Sequence, residues 1–372
     1  MFNTVRLEKV FNKFTNSKKV HEAILLIENT SGEFSFVKTY GGKELNSPLL
    51  MASITKLFTT TCILILLEQD KLSLEDKISK CLDKNILSGI HVYNGKEYSS
   101  ELTIFDLLFQ VSGLPDAYLE GKNSLINKVI KEDFNITFSD MMTRIKELKP
   151  HFQPRKKGKA YYADINFDIL GEIVEKVSGL TLSEVYKKYI FEPLGLMNTY
   201  LPEDEADEIP KIYYKKQVIH RPKFMISSGA SGGCITTAQE LMIFLKAFFG
   251  GKLFNKSLFD GLSTYNKLQL SMSPIQYGGG YMQIPLNGLV SFFSGKGELI
   301  GHSGSTGSFA FYYPTKDLFF IGDVNQMADP SLPVKLSIQL AMEVKSVNFL
   351  FYTGFINLIY LDLRAICEAG VG

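Results

Sequence analysis

The spacing of hydrophobic positions changes along the chain, and each change predicts an element. Residues 5–15 carry an amphipathic helical period. Residues 23–29 and 34–40 are apolar, β-rich runs joined by Thr30-Ser31-Gly32-Glu33, which predicts a hairpin closed off by Gly41-Gly42. From Ser53 an apolar helical stretch runs through Cys62, Ile63, Ile65, Leu66 and Leu67 and stops near Asp70-Lys71. Between about 74 and 280 the period is mostly helical, with long polar connections. Thr103 is placed to cap a helix over 104–108, and Ser112-Gly113-Leu114-Pro115 to stop that segment. Residues 138–148 are amphipathic. A helix over 164–177, stopped by Ser178-Gly179, turns Ile165, Phe167, Ile169, Leu170, Ile173 and Val174 inward. Helices are expected over 183–190 and 237–249, with a polar surface excursion over 203–223. After 280 the β pattern returns at 290–294, at 298–302 and in a hairpin pairing 309–313 with 318–322; a helix over 332–344 follows.

Strands at both ends with helices between them predict an α/β protein of the α+β type. One antiparallel sheet, flanked by helices, would be built from the N- and C-terminal segments and carry an inserted, mostly helical region. The boundaries read as 20–72 plus 281–345 for the sheet region, 73–280 for the insertion and 346–372 for an apolar tail. The tail's apolar run over 347–361 is shorter than the roughly 20 residues a membrane span needs, and Asn348 and Asn357 interrupt it. A packed terminal helix is therefore expected in preference to a membrane contact.

Composition narrows the partners. Forty basic and thirty-nine acidic residues leave a formal charge of +1, which gives no reason to expect nucleic acid. Cys62, Cys81, Cys234 and Cys367 are far apart and lack CxxC spacing, and His21, His91, His151, His220 and His302 show no ligand spacing. No metal and no cofactor is expected. Residues 1–19 are charged every few positions and lack the apolar core of a signal peptide, so the chain as given reads as cytoplasmic.

Candidate chemistry begins at Ser53 and Lys56. Residues three apart share a helix face, so the lysine can reach the serine hydroxyl and activate it as a nucleophile, while a helix N-terminus supplies N–H groups to a developing oxyanion. Alone, S-x-x-K is common by chance and Ser53 would serve as an N-cap. Two further stretches change that. Ala160-Tyr161-Tyr162-Ala163-Asp164 sets a phenol at a loop-to-helix junction, where a nearby lysine would favour its phenolate and let Tyr162 share a proton with Ser53 and Lys56. Gly301-His302-Ser303-Gly304-Ser305-Thr306-Gly307 is a glycine-rich strand end that a substrate backbone could approach closely, with an N–H placed as a second oxyanion donor.

In order and spacing these stretches resemble the S-x-x-K, Y-x-N and K/H-T/S-G motifs of the serine β-lactamase and penicillin-binding protein superfamily. The resemblance is to its class C β-lactamase, D-alanyl carboxypeptidase and esterase branch, and it spans about 22–345. It includes residues 102–115, 171–179, 191–199, 231–245 and 278–282. It implies a β-lactamase/transpeptidase-like fold, with one catalytic domain at about 20–345. It also implies an acyl-enzyme serine hydrolase, with Ser53 the nucleophile, Lys56 its proton partner and Tyr162 the general base. The N–H groups of Ser53 and Ser305 would form the oxyanion hole, and His302-Ser303-Gly304 would form the third motif. The substrate would be a small molecule or peptide: an ester, an amide or a D-amino-acid peptide. Asp164 departs from the usual Asn and His302 from a fixed cation, and both departures point away from efficient β-lactam hydrolysis. The alternative is a catalytically weak penicillin-binding or peptidoglycan-ligand-binding regulatory protein on the same fold.

Overall fold

The structure, a computed structural model, describes residues 2–288 and 295–344; the expected strand at 290–294 and the apolar run at 347–361 lie outside the described residues. Eight strands form the main sheet: β1 (Ala23–Glu28), β2 (Ser35–Tyr40), β3 (Asn266–Lys267), β4 (Gln276–Tyr277), β5 (Met282–Pro285), β6 (Glu298–Ser303), β7 (Ser308–Tyr313) and β8 (Leu318–Asp323). Their spatial order is β2-β1-β8-β7-β6-β5-β4-β3, and each neighbouring pair is antiparallel. The two expected hairpins meet where β1 pairs with β8, with Leu26 opposite Ile321. N- and C-terminal segments thus close one sheet. β3 and β4 are too short to leave a periodic signal in the sequence.

The main helices are α1 (Thr4–Thr15), α2 (Lys56–Glu68), α3 (Phe138–Glu147), α4 (Ile165–Ser178), α5 (Ala238–Gly250) and α6 (Leu332–Glu343). α5 and α6 pack on the sheet, and α1 packs on α6 and β2. β8 is buried along its whole length and β1 along all but its last residue, which explains why both read as unbroken apolar runs rather than alternating ones. The local signals act as their chemistry dictates. Thr103 and Asp106 form a reciprocal capping box, as do Thr137 with Asp140 and Thr181 with Glu184. Gly179 ends α4 in the left-handed conformation. Among the described residues no helix is long and apolar enough to cross a membrane.

Three features carry the site. α2 is buried on every side from Lys56 to Leu66, so it is a core helix rather than a surface one. α4 crosses it and also meets the Gly229–Gly232 turn so closely that a Cβ on Gly171 would lie 2.5 Å from the Cβ of Ala230. Gly304, at the end of β6, approaches the residues just before Ser53: a Cβ there would sit 2.2 Å from Ser308 Oγ and 2.6 Å from the Met51 carbonyl oxygen. Both glycines exist because two backbones must touch.

Candidate active site

A two-residue strand, Leu49–Leu50, pairs with Ile235–Thr236 and delivers the chain to Met51, whose N–H donates to the Cys234 carbonyl at 2.9 Å. Ala52 then adopts φ +45°, a left-handed conformation that L-residues rarely take and that concentrates at functional positions. The expected helix from Ser53 begins instead as a 3₁₀ turn, Ala52–Thr55, and α2 proper starts at Lys56. Ser53 therefore caps nothing, and it stands at the wall of a cavity.

Lys56 is fully buried. Its Nζ donates to three acceptors: Ser53 Oγ at 3.2 Å, Asp164 Oδ1 at 2.7 Å and the Ser231 carbonyl oxygen at 2.6 Å. Three acceptors match the three N–H bonds of an ammonium. The Asp164 pair is the charge compensation that makes a lysine tolerable in this core.

Asp164 and Tyr162 arrive on a loop stitched at nearly every residue. Tyr161 N–H donates to the Gln110 carbonyl at 2.9 Å, Tyr162 N–H to Gln269 Oε1 at 3.0 Å and Ala163 N–H to Gln110 Oε1 at 3.0 Å. Asn166 anchors the start of α4 to Ser112, whose Oγ donates to Asn166 Oδ1 at 2.7 Å. The Tyr162 ring lies against Lys56, with Nζ 5.2 Å from its centroid. Its hydroxyl is buried beside Ser53 and has no partner in hydrogen-bond geometry. Burial, and then the Asp164 carboxylate, push the phenol well above its ordinary range, and only Ser53 among its neighbours pulls the other way. This corrects the expectation that Lys56 favours the phenolate. Burial first and the Asp164 carboxylate second both favour the protonated phenol at Tyr162.

The third stretch divides. Ser305 lines the cavity with Ser53 and Asp164, whereas His302, Ser303 and Gly304 do not. His302 is fully buried, with Nδ1 2.9 Å from its neighbour's carbonyl, that of Ser303, and Nε2 3.4 Å from Tyr277 Oη. Burial and the nearby lysine depress it to about 3, so it is a neutral ring. Its ring centroid is 6.0 Å from that of Tyr162. His302 is thus enclosed beside Tyr162 rather than open to the cavity. Ser303 Oγ turns to Met282 Sδ at 3.8 Å, and Gly304 provides closeness rather than contact with substrate.

The cavity measures about 430 Å3 and has Ser53 at its wall. Four of its acidic side chains follow one face of α4: Asp164, Asp168, Glu172 and Glu175. Asp116, nearly fully buried behind Asp164, is pushed up by burial and by the Asp164 charge. Tyr118 lines the cavity beside Ser305 and is also raised by burial. Burial raises Asp168 to about 7. An acid raised on folding contributes stability that is present below its unfolded value, near 3.8, and is lost as pH rises through 7. His302 acts in the opposite sense, because a depressed base contributes stability above about 6.5 that is lost as pH falls toward 3. Asp168→Asn is therefore expected to leave stability unchanged at pH 4 and to raise it at pH 8 by up to about 4 kcal/mol. Urea denaturation at the two pH values measures this, and a variant less stable than the parent at pH 8 would contradict the burial account.

Several of these residues escape a motif reading. Gln110, Ser231 and Asp116 act through backbone contacts or burial that no spacing announces. Asp168 and Glu172 were visible in principle, since they follow Asp164 at steps of four on a helix whose inward face was already clear. Among the described residues no group of three or more His, Cys, Asp or Glu could hold a metal ion.

With this geometry in view, comparisons with known proteins are informative. A beta-lactamase family model matches residues 38–340. Protein flp of Staphylococcus aureus is 27% identical over 241 residues, 60% of this chain and 44% of that protein, so the chain spans less than half of that relative's length. A putative D-alanyl-D-alanine carboxypeptidase of Salmonella agona is 25% identical over 332 residues, 77% of this chain and 73% of that protein. The solved D-stereospecific amidohydrolase from Streptomyces sp. superposes with a TM-score of 0.70 at 22% identity, over 88% of this chain and 95% of that one. That likeness is one of fold.

Proposed function

The chain belongs to the β-lactamase family, and from that premise we propose that it is a serine hydrolase that cleaves an ester or amide through an acyl-enzyme on Ser53. The observation that carries the reading is Lys56 Nζ bridging Ser53 Oγ at 3.2 Å and Asp164 Oδ1 at 2.7 Å at the wall of a cavity. As Ser53 attacks the carbonyl, its proton passes to Lys56 while Lys56 gives one to Asp164. The developing oxyanion is held by the N–H groups of Ser53 and Ser305; the latter makes no backbone hydrogen bond among the described residues. The buried phenol of Tyr162 protonates the departing alcohol or amine. The phenolate so formed takes the proton of the deacylating water, and Ser53 recovers its proton from the Lys56–Asp164 pair as the acid leaves. Protons balance over the cycle, and Tyr162 is an acid first and a base second.

The same geometry disfavours β-lactams. An ionised Asp164 cannot donate to a substrate amide oxygen as Asn can, and a buried, neutral His302 offers no charge to a substrate carboxylate. The likeness to a putative carboxypeptidase supports hydrolysis at an acyl carbon. Turnover of p-nitrophenyl hexanoate is expected to exceed that of a chromogenic cephalosporin by kcat/KM, and to vanish in Ser53→Ala. The reverse order would overturn the assignment of Asp164 and His302, and turnover surviving in Ser53→Ala would overturn the nucleophile.

A further inference from the structure

Behind Tyr162 lies a buried polar chain that the chemistry at Ser53 leaves unused. Its centre is Gln110, which is fully buried and held at φ +57°, a left-handed conformation for a residue other than glycine. The Gln110 carbonyl accepts the Tyr161 N–H at 2.9 Å, and Oε1 accepts the Ala163 N–H at 3.0 Å. One residue thus clamps the backbone on both sides of Tyr162. Oε1 also accepts from Asn166 Nδ2, and Asn166 Oδ1 accepts from Ser112 Oγ at 2.7 Å. The turn after β4 hangs from the same segment, because the Gly280 N–H donates to the Leu108 carbonyl at 3.0 Å. That brings Tyr277 of β4 up to Gln110 Nε2.

The two ends of this chain fix its direction. The Ala163 N–H can only donate, so Gln110 turns Oε1 to it and Nε2 away. Nε2 is a buried donor without a partner in hydrogen-bond geometry, and the Tyr277 hydroxyl faces it. At the far end the Ser303 carbonyl can only accept, so His302 carries its proton on Nδ1, 2.9 Å away. The neutral ring then presents a bare Nε2, and the Tyr277 hydroxyl, 3.4 Å from it, donates there and turns its lone pairs to Gln110. Ser112, Asn166, Gln110, Tyr277 and His302 are all fully buried, so the chain answers its donors and acceptors from within. The rings of Tyr277 and His302 close on Tyr162, with centroids 5.8 and 6.0 Å from its own. Resting on the hydrolase reading, we infer that Gln110 is a positioning residue: with Tyr277 and His302 it holds Tyr162 in place beside Ser53 for release of the acyl group. Gln110 does not line the cavity, so its effect falls on rate rather than on acyl binding. A displacement of about 1 Å at a reacting group costs rate steeply.

The test is a double-variant cycle on the decay of the hexanoyl adduct left by p-nitrophenyl hexanoate, followed by intact mass. It compares the parent, Gln110→Met, Tyr162→Phe and Gln110→Met/Tyr162→Phe. Gln110→Met is expected to slow deacylation by about tenfold or more, while the ester concentration that half-saturates the burst stays within about twofold. In the Tyr162→Phe background the same substitution should change deacylation by less than about twofold, because the group it positions is gone. Equal slowing in both backgrounds, or none in the parent background, overturns the inference and leaves the hydrolase reading intact. Should Gln110→Met fold poorly, Tyr277→Phe, which removes one hydroxyl, takes its place in the cycle under the same criteria. Should no adduct and no turnover appear in the parent, the hydrolase reading fails, and nitrogen-15 NMR of His302, assigned with His302→Gln, decides the chain. A neutral ring protonated on Nδ1, with an Nε2 resonance that moves in both Tyr277→Phe and Gln110→Met, supports it. A proton on Nε2 overturns it.

Discussion

Tyr162→Phe is expected to trap the acyl-enzyme and to melt no lower than the parent. With p-nitrophenyl hexanoate the leaving group needs little help, so acylation proceeds and releases about one equivalent of nitrophenol. Deacylation then stalls, because no phenolate exists to take the proton from water. Steady-state turnover should fall by about 100-fold or more, with a burst in its place. Stability moves the other way for a separate reason. The Tyr162 hydroxyl is buried without a partner, and removing an unsatisfied polar group from a core is neutral or stabilising by about 1 kcal/mol. Stopped-flow release of nitrophenol and thermal melting read the two effects on one sample. Full turnover would remove Tyr162 from the chemistry, and a marked loss of stability would mean that its hydroxyl holds the fold.

The second large effect concerns Lys56 and Asp164. Lys56 is fully buried and, among the described residues, Asp164 is the one carboxylate that pairs with it. Asp164→Ala strands that cation, which costs about 3 kcal/mol in a core, and it also removes the sink for the Ser53 proton. Asp164→Asn separates the two roles. An amide oxygen still accepts from the lysine but leaves its charge uncompensated and cannot take a proton at neutral pH, so the variant should lose less stability than Asp164→Ala while acylation slows by about tenfold or more. The double variant Lys56→Met/Asp164→Leu, with apolar groups in place of both charges, should recover the stability lost in Asp164→Ala and stay inactive. Urea midpoints and single-turnover rates check these outcomes. Undiminished acylation in Asp164→Asn would show that the proton leaves Ser53 by another path.

The frame of the molecule was legible in the sequence because its signals are local. The turn at Thr30-Ser31-Gly32-Glu33 and the one at Pro314-Thr315-Lys316-Asp317 each join runs of β-branched and aromatic residues, and both became hairpins of the main sheet. Thr103, Thr237 and Gly179 marked helix ends through hydrogen bonds and backbone angles that depend on a few neighbours. The site was legible only as a set of residue types. That Lys56 touches Ser231 depends on α4 crossing the Gly229–Gly232 turn at the distance Gly171 allows. Nothing near Lys56 in the chain encodes this. The protonation of Tyr162 is hidden for the same reason: Lys56 suggests a phenolate as a residue type, whereas the burial of the phenol and the approach of the Asp164 carboxylate to it belong to the folded state. β6 is buried from Leu299 to His302, and Tyr162 and Tyr277 lie against the His302 ring, which no spacing in the sequence reveals.

The central claim is a covalent bond at Ser53. Intact-mass spectrometry of the protein mixed with p-nitrophenyl hexanoate, sampled over time for the parent, Tyr162→Phe and Ser53→Ala, tests it most directly. The account predicts a transient hexanoyl adduct on the parent, a persistent one on Tyr162→Phe that maps to the peptide containing Ser53, and none on Ser53→Ala. No adduct on either of the first two, or an adduct that survives in Ser53→Ala, would contradict it.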